Sequence, residues 1–141
     1  MIILKKHDYC YMQCAVNFSQ LSKAVRKKVG AVIVTEHGVI IPGVNGTPSG
    51  CDNCCEIEDM GELVTKPEVI HAELNCILKA AKEGVSIVGG TLYVSLSPCL
   101  PCSAMIKQSG IKRVVYLEEY RCKKGVDFLN NNGIITSLHK F

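Results

Sequence analysis

No run in the 141-residue chain approaches the roughly 18 consecutive apolar residues that a membrane-spanning helix requires. The opening stretch MIILKKHDYC has only a few apolar residues before Lys5, Lys6, His7 and Asp8, and lacks the long apolar core and cleavage site of a secretory signal. A soluble, cytoplasmic protein without a membrane partner is therefore expected. Charge is also short of a large excess in either sign. The net +3 is a small surplus among many mixed charges, with one dense basic cluster, SKAVRKK at residues 22–28. Such a cluster is commonly a solvated face, so no stable nucleic-acid partner is expected. There is no internal repeat and no low-complexity segment.

Cysteine is what the chain has in quantity. Nine cysteines, an odd number at irregular spacings, do not describe a closed disulfide framework. In a reducing compartment clustered cysteines point first to metal ligation, and isolated ones to small core positions. With 48% hydrophobic residues, residues 1–141 are long enough for one packed domain and too short for two.

Periodicity orders the chain. Tyr9, Met12, Val16, Leu21, Ala24 and Val25 recur at helical spacing and predict a helix over 5–25 that runs into the basic cluster. The two β-branched runs of VGAVIVTEHGVIIPGVNG (29–46), split by Glu36, His37 and Gly38, predict a β-hairpin. Residues 47–67 contain Pro48, Gly50, Gly61 and Pro67 with little periodicity, and read as a long loop with a turn of helix. Helices are expected over 69–82, 99–109 and 126–133, stopped by Gly84, Gly110 and Gly133, and strands over 90–96, 112–118 and 134–138. After the hairpin, the alternation α, β, α, β, α, β favours an α/β fold: one mixed five-stranded sheet flanked by helices.

Two stretches carry chemistry. In VIHAELNCIL (69–78), His71 and Glu73 open an otherwise apolar helix two positions apart, and residues i and i+2 do not share a helix face. In SLSPCLPCSAMI (95–106), Cys99 and Cys102 form a Cys-x-x-Cys pair where a strand ends and a helix starts. There, free N–H groups and the positive end of the dipole favour thiolates. That pair alone fits a zinc site or a redox centre equally well. Right-handed crossovers bring the starts of neighbouring helices to one sheet edge, so His71 can join Cys99 and Cys102. Three protein ligands leave zinc a fourth position for water, the arrangement of a catalytic site. Glu73, in the first helical turn, is then placed to handle that water's protons.

The pattern His-x-Glu followed by Pro-Cys-x-x-Cys, here HAE and PCLPC, resembles the zinc-dependent nucleobase deaminases. Within them the chain is similar to the deoxycytidylate (dCMP) deaminases, including phage-encoded ones. The likeness runs from about Ser22 to Leu138 through SKAVRKKVGAVIV, PGVNGTPSGC, IHAELNCIL and TLYVSLSPCLPCSAMIKQSGIKRVVYLEEY.

The resemblance implies a three-layer α/β/α cytidine-deaminase-like fold and zinc-dependent hydrolytic deamination of dCMP to dUMP and ammonia, a step in pyrimidine deoxynucleotide biosynthesis. It implies Glu73 as the catalytic residue and His71, Cys99 and Cys102 as metal ligands. Ala72 and Ser97 would line the base pocket, Asn45 would bind the sugar, Ser22, Lys23 and Arg26 would serve the 5′-phosphate, and Tyr120 would lie near the nucleotide. It also implies a homohexamer, activation by dCTP with magnesium and inhibition by dTTP, through a loop containing Gly43, Asn45, Gly46, Thr47 and Gly50. Cys51, Cys54 and Cys55 are candidates for a second, structural zinc, with Cys10, Cys14 or His7 as further donors. Two alternatives stand beside this reading. One is a zinc deaminase acting on cytidine or an RNA base; the other is a non-catalytic zinc module in which cysteines of 51–55 complete the shell of Cys99 and Cys102.

Overall fold

The computed structural model describes residues 2–141, with side chains described from residue 5. In chain order it comprises α1 (Ile2–Ser19), β1 (Gly30–Val34), β2 (Ile40–Val44), β3 (Glu56–Asp59), β4 (Glu62–Thr65), α2 (Ala72–Glu83), β5 (Thr91–Leu96), α3 (Leu100–Ser109), β6 (Arg113–Glu118), α4 (Lys124–Asn131) and β7 (Ile135–Leu138). No helix is long and apolar enough to cross a membrane among the described residues.

Five strands form one sheet in the order β2-β1-β5-β6-β7. The first two pairings are antiparallel and the last two parallel, so the sheet is mixed, as the alternation of elements predicts. Strand periodicity sorts its side chains onto two faces. Ala31, Ile33, Leu92, Val94, Val114 and Tyr116 pack with Cys76 and Ala80 of α2, Ile106 of α3 and Leu129 of α4. Val32, Tyr93 and Val115 point the other way, onto Met12 and Ala15 of α1. Three layers result: one helix, the sheet, and three helices.

A buried polar cluster fastens α1 to the sheet. Asp8, 8% exposed, accepts from the Tyr93 hydroxyl at 2.7 Å and from both Arg113 amino groups at 2.8 and 2.7 Å. Burial works to raise the Asp8 pKa, but the hydrogen bonds from Arg113 and Tyr93 outweigh it and hold the carboxyl below its ordinary range. Asp8→Asn is expected to cost about 2–3 kcal/mol at neutral pH, because Arg113 loses its counter-charge in a largely dry setting. A depressed carboxylate contributes stability above its unfolded pKa, and that contribution is lost as pH falls through the folded value. Urea unfolding should therefore show the gap between wild type and variant closing below about pH 4.

Several elements differ from the sequence-based expectation. The first helix ends at Ser19, and residues 22–28 are not helical. Four of these seven residues are basic and repel one another, and the Val25 and Arg26 N–H groups that a continuing helix would use donate to the Glu56 carboxylate instead, at 2.8 and 3.0 Å. Residues 47–67 contain no turn of helix; they include a second hairpin, β3–β4, separate from the main sheet. Its two-residue turn places both Met60 (φ 51°) and Gly61 (φ 80°) in the left-handed region, the geometry that suits the twist of a tight hairpin. Helix α2 also starts three residues later than predicted, because Ile70 pairs with Gly46 through two backbone hydrogen bonds of 2.8 and 3.0 Å.

Candidate active site

The starts of α2 and α3 meet at one edge of the sheet. His71 is the residue before α2, in extended conformation (φ −68°, ψ 155°), and Cys99 holds the same position before α3 (φ −72°, ψ 170°). The awkward spacing of His71 and Glu73 thus disappears: His71 is not on the helix, whereas Glu73 is in its first turn. Pro101 is the second residue of α3, where a missing N–H costs nothing, and Cys102 follows in the first turn. Close backbone contact sets this corner. A β-carbon at Gly125, in α4, would strike the Pro98 carbonyl oxygen and come within 2.8 Å of Ser103 Oγ. Gly125 escaped sequence reasoning because nothing near it in the chain shows what it lies against.

His71 Nδ1 is 3.2 Å from Cys102 Sγ and 3.6 Å from Cys99 Sγ, and all three ligating atoms lie within 4.8 Å of one another. Zinc bonds of the usual length to nitrogen and sulfur place tetrahedral N and S donors about 3.6 Å apart. The trio therefore fits zinc, with one coordination position left over. Hydrogen bonds from Cys102 and His71 hold the Cys99 thiol down to about 4, while the adjoining Cys99 sulfur and burial push Cys102 up. A thiol held this low is a ready thiolate donor, the form in which cysteine binds a metal cation. Glu73 is 4% exposed, and burial pushes its carboxyl up to about 7.

A cavity of about 460 Å³, within the range of small-molecule sites, opens onto His71 and Cys99 of this trio. His71, Ala72, Glu73, Ser97 and Cys99 line its inner end. Asn45, Arg26 and Lys27 line it from the region of the first hairpin and the basic loop, and Glu118, Glu119, Tyr120 and Arg121 from the end of β6. Ser97 Oγ accepts the Tyr120 N–H at 2.6 Å and so ties that segment to the start of α3.

Not every predicted contact lies here. Ser22 is 3% exposed and outside the cavity; its hydroxyl donates to Asn45, whose Oδ1 also takes the Val29 N–H and whose Nδ2 donates to the Lys27 carbonyl. Asn45 thereby braces the basic loop as well as lining the cavity. Lys23 lines a second cavity of about 640 Å³, together with Gly43, Gly46, Thr47, Lys79 and Lys82, and Asn45 borders both cavities. Gly50 is exposed and lines neither. Lys27 and Arg121 were missed in the sequence, although the first belongs to the basic cluster and the second adjoins Tyr120.

Among the described residues the other cysteines do not gather a second group of three ligating atoms. Cys54 Sγ contacts the Glu56 carbonyl, Cys55 Sγ the Asn53 carbonyl, and Cys51 is exposed. Among the described residues, His71, Cys99 and Cys102 are the one group of three with ligating atoms gathered closely enough for a metal. Neither a 51–55 zinc site nor completion of the Cys99/Cys102 shell from that loop has the necessary convergence, since His71 takes the position such a cysteine would need.

A three-layer α/β/α fold with an imidazole, two thiols and a buried carboxyl at the mouths of two helices defines a zinc-site protein equipped to move protons. The cytidine and deoxycytidylate deaminase zinc-binding region matches residues 5–118. The deoxycytidylate deaminase of Enterobacteria phage T4 is 39% identical over an alignment covering 87% of this chain and 84% of its own. The dCMP deaminase of cyanophage S-TIM5, solved in complex with dCMP and dUMP, superposes with a TM-score of 0.87 at 46% identity, over 94% of this chain and 97% of that one. Its apo form gives 0.82 at 41% identity, over 95% and 98%. The chain belongs to the cytidine and deoxycytidylate deaminase family.

Proposed function

We propose that this protein is a deoxycytidylate deaminase, converting dCMP and water to dUMP and ammonia. The observation that carries the reading is the buried Glu73 carboxyl beside the His71/Cys99/Cys102 trio at the inner end of a nucleotide-sized cavity. His71, Cys99 and Cys102 would hold zinc, which supplies the Lewis acidity that brings a water's pKa toward neutrality. Glu73 takes the proton that the water gives up and delivers it to N3 of the cytosine ring as oxygen bonds to C4. It then takes the proton of the newly added C4 hydroxyl and passes it to the departing amine, and the C4–N bond breaks to release ammonia and leave the C4 carbonyl. The backbone at Ala72 and Ser97 confines the ring, and Asn45 and Tyr120 flank the sugar.

Arg26, Lys27 and Arg121 face the same cavity and give a 5′-phosphate its counter-charge. Zinc-loaded protein assayed with dCMP, deoxycytidine and an oligonucleotide tests the assignment. The kcat/KM for dCMP should exceed that for deoxycytidine about a hundredfold, which corresponds to some 2.8 kcal/mol of phosphate binding. Equal turnover of deoxycytidine, or preference for the oligonucleotide, would remove the nucleotide assignment, and an inert zinc-bound protein would remove the enzyme.

Regulation by dCTP with magnesium and by dTTP belongs to the same reading. It draws support from the second cavity, where the 43–47 loop meets Lys23, Lys79 and Lys82, three ammonium groups suited to a triphosphate. Asn45 borders both cavities and links them through one side chain. Homohexameric assembly, a role in supplying the dTTP precursor and residence in the cytoplasm, that of the host if phage-encoded, rest on the family likeness.

A further inference from the structure

The β3–β4 hairpin lies outside the main sheet and contributes no residue to the metal trio, yet Glu56 and Thr65 at its base line the substrate cavity. Glu56, the first residue of β3, is 6% exposed while the other three residues of the strand are exposed. Its Oε2 accepts two successive backbone N–H groups, from Val25 at 2.8 Å and Arg26 at 3.0 Å. Consecutive N–H groups converging on one anion form a nest, and here the anion is supplied by the protein itself. Thr65 is the cross-strand partner of Glu56 in the hairpin register, and its Oγ1 accepts a hydrogen bond from Arg26 Nη1 at 3.2 Å. One cross-strand pair therefore grips Arg26 twice, by its backbone and by its guanidinium.

We propose that Glu56 is the positioning residue for the basic wall of the cavity: through the Val25 and Arg26 N–H groups it sets where Arg26 stands, and thereby the enzyme's preference for a phosphorylated substrate. The loop has no helix or strand to fix it, and four of its seven residues repel one another. A buried carboxylate is the one acidic group bonded to its backbone at this point. Glu56 does not touch the reacting atoms, which gather around Glu73 and the trio, so its effect falls on binding and not on the chemical step. The inference rests on the reading that Arg26 and Lys27 face a 5′-phosphate.

Steady-state kinetics of zinc-loaded Glu56→Ala and Glu56→Gln with dCMP and deoxycytidine tests it. Losing one organised charged contact predicts a rise of about tenfold in KM for dCMP in Glu56→Ala, with kcat within about twofold of wild type. The kcat/KM for deoxycytidine should stay within about twofold. Glu56→Gln keeps an acceptor oxygen for both N–H groups and should restore most of the wild-type KM. If Glu56→Ala does not fold, Glu56→Asp decides: its arm, shorter by one methylene, should raise KM for dCMP several-fold. A folded Ala or Asp variant with unchanged KM for dCMP, or with both substrates impaired alike, would overturn the role of Glu56. Wild-type protein indifferent to the phosphate would instead overturn the nucleotide reading, so the two failures are separable.

Discussion

Glu73→Gln should lower kcat for dCMP by about 10³–10⁴-fold and leave the zinc content at one per chain. Glutamine has almost the same shape, and the site offers little room for rearrangement, since Glu73 is 4% exposed. What it lacks is the ability to accept a proton and give it back. The imidazole and the two thiols that hold the metal are untouched, so metal analysis should not distinguish the variant from wild type. Stability should be equal or slightly higher, because a neutral amide avoids the cost of burying a charged carboxylate. Turnover above about a tenth of wild type would assign the proton transfers to another group. Zinc loss in this variant would mean that the carboxylate is a ligand.

Cys102→Ala should fail in the opposite way. Cys102 is 2% exposed, and its sulfur lies 3.2 Å from His71 Nδ1 at the inner side of the trio. Without it the site has two donors where zinc needs at least three, so the purified variant should carry under about a tenth of the wild-type zinc. Activity should fall at least as far as in Glu73→Gln. Binding free energy is also folding free energy. A site held at about a thousand times its Kd contributes some 4 kcal/mol, so chelation should lower the wild-type Tm and leave that of Cys102→Ala unmoved. The same pair of measurements bears on a redox role for Cys99 and Cys102. A dithiol centre would respond to oxidant and survive chelation, whereas the metal site stops on chelation and tolerates reductant.

Much of the fold is legible in the order of the amino acids, for reasons that can be named. The strands over 91–96 and 113–118 are betrayed by β-branched runs, and α2 and α3 by apolar periodicity ending at Gly84 and Gly110. Helix formation, capping and pleating are short-range interactions, so their signals lie within a few residues of one another. The candidate site is legible for the same reason. His71 and Cys99 directly precede two helices and Glu73 and Cys102 lie in their first turns, so their spacing encodes those ends directly.

The misplaced elements have their causes far away in the chain. The basic cluster looks like a continuation of α1, but its N–H groups are claimed by Glu56 about thirty positions on. Hairpin β3–β4 turns at Met60-Gly61 and lacks the Asn-Gly or Asp-Gly signal of such turns. Ser22 carries phosphate-binding chemistry by type, yet its hydroxyl is spent on Asn45, 23 residues ahead.

The amino-acid sequence by itself determined the His/Cys/Cys trio, the glutamate beside it and the α/β class, because each is set by local spacing along helices and strands. Only the tertiary structure decided which basic residues face the cavity. Arg26, Lys27 and Arg121 line the cavity that holds the site while Lys23 lines a separate one. It also decided that the cysteines of 51–55 stand apart, and that a carboxylate from a detached hairpin anchors the loop bearing Arg26. These are outcomes of long-range hydrogen bonds and packing, which no short window of the chain contains.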